Sequence, residues 1–239
     1  MFILIFIVSI YLTYSLTIGA FCQQGQVNEA EFKDAALQLA KLVKSFDIDA
    51  GDYQKQEQKI RTPVARSIIK LNNFVSNYPA NKYADDAVYI LTTFSIGNSE
   101  NHIKAVSSFL EKYPDAILEE WTLNNLGIMI NPFAKEIGAV NAARFALVED
   151  LYDSKQYEAS AKEAQQLLGN FDIKKLSVKG SRTQSMVYYY LLQNAEALNN
   201  NEQARKVCQE AIKKIQDPKG REVFIKKLRE LDARVVSNR

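Results

Sequence analysis

The stretch Phe74-Val75-Ser76-Asn77-Tyr78-Pro79 recurs as Phe109-Leu110-Glu111-Lys112-Tyr113-Pro114, displaced by 35 residues. In both copies a helix-patterned segment runs into Tyr-Pro and another follows. Proline lacks an N–H and its ring blocks the preceding turn, so each Tyr-Pro marks a helix end. A period near 34 residues built from two helices is the pattern of solenoids, in which each hairpin buries its apolar face only by stacking on the next. This recurrence restricts the chain more than any other feature of it.

The remaining segments agree. Between Val27 and Phe46 the apolar residues Phe32, Ala35, Ala36, Leu39, Leu42 and Val43 fall at i, i+3, i+4 and i+7 and make one stripe. Residues 46–58 are polar and unpatterned, which predicts a loop. Further helices are predicted at about 60–77, 82–97, 100–112, 116–129, 133–154, 156–169, 182–199, 201–216 and 219–236. Pro79, Pro114, Pro132 and Pro218 punctuate them, with turn clusters at Gly97-Asn98, Lys155-Gln156 and Asn199-Asn200-Asn201. Nine Gly and five Pro in 239 residues are too few for an all-β chain. The fold expected is all-α: a right-handed α-solenoid of four to five helical hairpins. It occupies residues 23–239, with an irregular helix and loop at 27–58, repeats over 60–216 and a cap at 219–236.

Residues 1–20 carry no charge, and the first charged residue is Glu29. An apolar run followed by a polar stretch reads as a secretory signal or retained membrane anchor over residues 1–22, with lipidation at Cys22 as a third option. The absence of any Asn-x-Ser/Thr sequon tilts the reading towards a bacterial envelope. The localisation expected is therefore exported: periplasmic or membrane-associated.

The Tyr-Pro endings, followed by Tyr83-Ala84-Asp85-Asp86-Ala87, resemble the tetratricopeptide-repeat branch found in outer-membrane β-barrel assembly lipoproteins and related periplasmic proteins. Two later hairpins are similar to ordinary tetratricopeptide units. One carries Leu147, Val148, Leu151, Tyr157, Ser160, Ala164 and Leu167; the other carries Leu191, Leu192, Ala195, Ala204, Cys208 and Ala211. The region 116–154, with Gly127, Pro132 and Gly138, departs from the pattern. The resemblance implies a concave groove lined by Tyr89, Thr93, Glu149, Tyr152, Tyr189, Gln193 and Glu196. Tyrosine on such a rigid surface supplies contact area at little entropic expense.

Composition excludes several chemistries. His102 is the only histidine, and Cys22 and Cys208 the only cysteines, so neither a hydrolytic triad nor an ordinary zinc site is patterned. Cys208 reads as a small apolar filler, His102 as a solvated first-turn residue and Trp121 as a core aromatic. The acidic pairs Asp85-Asp86, Glu119-Glu120 and Glu149-Asp150 lie on helices or their first turns, where adjacent side chains diverge by about 100°. No catalytic residue, metal or cofactor is expected. Net charge is +2, too small to point to nucleic acid. It is uneven: 13 basic and 17 acidic residues over 1–150, against 17 and 11 over 151–239. The function expected is a non-enzymatic protein-binding adaptor or scaffold in an envelope assembly, with proteins and not small molecules as partners. The alternative is a structural subunit fixed in a large membrane or envelope complex without a peptide groove.

Overall fold

Helix-forming residues in amphipathic order dominate the chain, and the computed structural model is helical accordingly. It describes residues 29–45, 53–95, 99–127, 129–131, 133–170 and 178–237, and among these there is no strand. Two compact units divide the chain, Met1–Pro132 and Phe133–Arg239. Packing within each is mainly sequential: most helices lie against their neighbours along the chain.

The first unit holds α1 (Glu29–Ser45), α2 (Tyr53–Asn77), α3 (Ala84–Thr93), α4 (Ser99–Lys112) and the short α5 (Glu120–Asn125). Its stripe on α1 buries Phe32 at the centre of an aromatic cluster, 5.5 Å from Phe74, 4.8 Å from Tyr83 and 5.9 Å from Trp121 between ring centroids. The recurrent hexapeptide is a recurrent structure. The Tyr78 and Tyr113 N–H groups donate to the carbonyls of Phe74 and Phe109, each at 2.8 Å. The corresponding rings lie 5.5 and 5.9 Å apart. Both phenylalanines are buried, and both helices stop one residue before the tyrosine.

The second unit holds α6 (Ala134–Ile137), α7 (Ala139–Asp153), α8 (Tyr157–Asn170), α9 (Val178–Ala197), α10 (Asn201–Lys214) and α11 (Pro218–Ser237). Besides chain neighbours, α9 also touches α6, α7 and α11. Two hairpins here repeat one another with a displacement of 44 residues. Leu147, Val148 and Leu151 on α7 correspond to Leu191, Leu192 and Ala195 on α9, while Ser160, Ala164 and Leu167 correspond to Ala204, Cys208 and Ala211. All twelve are buried. A polar tie crosses three helices: Asn194 Nδ2 donates to Ser160 Oγ, and Ser160 Oγ donates to the Val148 carbonyl, both at 2.9 Å.

Several boundaries differ from the sequence expectation. Helix α2 begins at Tyr53, seven residues before the predicted start, and contains Pro63. Gln and Lys are good helix formers, so a polar segment without a stripe can still extend a helix that its downstream end anchors. The expected helix over 133–154 is broken at Gly138, whose φ of 82° and ψ of 160° are open only to glycine. His102 is buried, not solvated.

The membrane-associated reading has no support among the described residues, where no helix is long and apolar enough to cross a membrane. The signal, anchor and Cys22 readings over residues 1–22 lie outside the described residues.

Candidate functional site

Five of the seven expected groove residues belong to the second unit, and there the aromatic residues of α7 and α9 meet. Residues three or four apart on a helix share a face, so Glu149 and Tyr152 on α7 and Tyr189, Gln193 and Glu196 on α9 each form a row. Tyr190, absent from the expected set, joins the rows. Its hydroxyl donates to Glu149 Oε1 at 3.1 Å. Its ring lies 5.5 Å from Tyr152, 6.0 Å from Phe145 and 6.2 Å from Tyr189, all edge-on, an arrangement that suits the aromatic quadrupole. Burial first, and then the Glu149 carboxylate, push the Tyr190 phenol well above its usual range, so it stays a neutral donor. Burial also raises Tyr152.

The row continues on α9. Gln193 Nε2 donates to Glu196 Oε2 at 3.4 Å, and Glu196 pairs with Lys227 of α11 at 2.5 Å. Tyr189 is the exposed member, with 47% of its surface open to solvent. Its neighbour Tyr188, three and four residues before the buried Leu191 and Leu192, turns inward and packs 6.3 Å from Phe224.

The other two expected residues lie on α3 in the first unit. Tyr89 is 2% exposed and stacks edge-on against Phe109 at 5.5 Å. It is a core residue with no surface to offer a partner. No residue of α3 is fully exposed, and Tyr89 lies one turn from the buried Asp86. Thr93 is half-buried and its hydroxyl donates to the Ile90 carbonyl at 2.6 Å.

Between α9 and α11 lies an open cleft of about 290 Å³. Met186, Tyr189, Tyr190, Val223 and Phe224 give it apolar walls, and Arg182 and Asp217 stand at its polar end. Gly220 permits the close approach of the two helices, since a Cβ there would come within 2.7 Å of Ser185 Oγ. Sequence reasoning missed this cleft. Val223, on its α11 wall, is 51% exposed.

The remaining candidates are structural. Cys208 is a buried free thiol, pushed up to about 11 by burial. Trp121 is half-buried, with Lys33 Nζ 5.4 Å from its ring centroid. Among the described residues no group of His, Cys, Asp and Glu is arranged to hold a metal ion.

No family model matches the chain, and neither does any curated protein or solved structure. None of these comparisons supports the tetratricopeptide resemblance. The description that stands is an all-α, strand-free protein of sequentially packed helices.

Proposed function

We propose that the chain is a non-enzymatic protein-binding adaptor whose second unit stacks its hairpins in a row and presents the α7–α9 face to a partner. The observation that carries this reading is the tyrosine cluster of that face. Tyr152 and Tyr190 are locked by ring contacts and by the bond to Glu149, while Tyr189 beside them is open to solvent. Fixed aromatic side chains on rigid helices lose little entropy on binding, and tyrosine is prominent among the residues that dominate interfaces. Two contact patterns support the row. Helix α9 touches both α7 and α11, as alternate helices of a stacked series do, and the buried positions of the two hairpins repeat at 44 residues.

A photo-reactive phenylalanine analogue placed at Tyr189 or Gln193 tests the reading in the cells that make the protein. Adducts of discrete mass are expected from both positions and not from Glu158, which is exposed on α8. Equal adducts from all three positions would sink the assignment of the face. Adducts confined to probes on the solvent side of α11 would favour a fixed structural subunit.

A further inference from the structure

We propose that residues 117–126, α5 with its approach, form a latch that Asp86 holds against α3 in acid and releases as pH rises. The device belongs to the first unit alone and is independent of the partner face on the second.

Geometry supplies the hold. Two adjacent carboxylates in the first turn of α3 grip the segment. Asp85 accepts the Ile117 N–H. Asp86 accepts the Glu119 N–H with both oxygens at 3.2 Å, and the Thr122 hydroxyl as well. A helix of six residues is far below the length that stands alone in water, so α5 keeps its form only while docked. Leu118, Thr122 and Leu126 are the buried side chains of the segment. The Trp121 ring rests edge-on against Phe32 at 5.9 Å and Tyr83 at 6.2 Å.

Charge supplies the release. Asp86 is fully buried, and a buried carboxylate without a counter-ion favours its neutral form. The charges that act on it most strongly are Asp85 and Glu119, both acidic. Lys33 of α1 and Lys82 just before α3 both bridge Glu29, at 3.3 and 3.1 Å, and Lys82 also faces Glu119. Residues 71–77, the end of α2, are uncharged. Glu111 and Lys112 at the end of α4, with Asp115 and Glu120 beyond them, are exposed, and His102 lies at the opposite end of α4. Docked, Asp86 is raised to about 7, chiefly by burial; released into water, it returns to its ordinary 3.8. Docking therefore holds a proton that release gives up. The latch is tightest below about pH 4. Its opening equilibrium grows by at most about tenfold per pH unit up to about pH 7 and then levels off. Opening bares Phe32 and Tyr83, so an apolar surface of the first unit becomes conditional on pH.

Hydrogen exchange of the full chain between about pH 4 and 8, corrected for the intrinsic pH dependence of amide exchange, reads the latch directly. The Leu123 and Leu126 amides, which donate to the Glu119 and Thr122 carbonyls, are expected to exchange faster than those of α2 at every pH. Their protection should fall by up to about tenfold per unit to about pH 7 and then level off. Asp86→Asn should remove that slope. Glu119→Gln deletes a carboxylate facing Asp86 and should move the level region to lower pH. Equal protection of α5 and α2 throughout would mean that the segment leaves only with the whole unit, and overturns the latch. A flat parent profile, or a slope that persists in Asp86→Asn, overturns it too. Should Asp86→Asn not fold, a Glu119→Gln profile identical to the parent's does so instead.

Discussion

Asp86 is fully buried where α3 meets α5, and its carboxylate accepts the Glu119 N–H at 3.2 Å and the Thr122 hydroxyl. It thereby caps a six-residue helix that has no cap of its own. The carboxylates of Asp85 and Glu119 face it, and burial chiefly raises it from 3.8 to about 7. The folded chain thus holds this proton more tightly than the unfolded one. The Asp86 contribution is greatest below about pH 4 and is lost as pH rises to about 7, by about 1.4 kcal/mol per pH unit at most. Urea unfolding of Asp86→Asn, which keeps an acceptor for the Glu119 N–H, should therefore show a flatter decline between pH 5 and 8 than the parent. Parallel pH profiles would refute this. Gly138 is the other residue-scale test. Its mirror-β conformation is strained for any L side chain although its surroundings are open, so Gly138→Ala should lower stability by about 1–3 kcal/mol. Gly127→Ala, with open space and no positive φ, should be near neutral. The adjacency of Asp85 and Asp86 was legible in the sequence, and so was their divergence on a helix. Which of the two would face inward was not, because that depends on where α5 lies.

At the scale of elements, the turns ending α7 and α9 are the same object. Gln156 N–H donates to the Leu151 carbonyl and Asn200 N–H to that of Ala195, both at 2.8 Å, and Lys155 and Asn199 take φ of 62° and 55°. Each is a Schellman ending with a left-handed residue after the helix. Lysine is poorly suited to that conformation and glycine suits it well. Lys155→Gly should raise the thermal midpoint, by about 0.5–1 kcal/mol in stability. No gain would mean that the lysine stem packs better than its conformation suggests. Asn200 also caps α10 through Oδ1, which accepts the Gln203 N–H at 2.9 Å, so Asn200→Ala should cost about 1 kcal/mol. Both turns were marked in the sequence by the polar clusters Lys155-Gln156 and Asn199-Asn200, but only asparagine is a residue that readily takes αL. Less readable were helices without a stripe. The polar start of α2 and the break before α7 depend on helix extension and on one glycine dihedral, which periodicity does not register.

Whole-molecule behaviour follows from packing between chain neighbours. In the second unit α11 touches α10 and α9, so disturbance at its far end should fade along the series. Leu231 is buried on α11. Leu231→Ala should cost about 2–5 kcal/mol and should strip hydrogen-exchange protection from α9, α10 and α11 more than from α7 and α8. Uniform loss over all five helices would instead indicate a single cooperative core. The sequence by itself determined that the chain is helical, where most helices stop, and which residues face inward on α1, α7, α9 and α10. Apolar spacing, proline and left-handed turn residues act locally, within one or two turns of helix. Only the tertiary structure decided that Tyr89 is core, that Tyr190 completes the aromatic face, and that Val223 stands open over a cleft. Those outcomes depend on which neighbouring helix covers a given face, and one helix's periodicity carries no information about its neighbour's position.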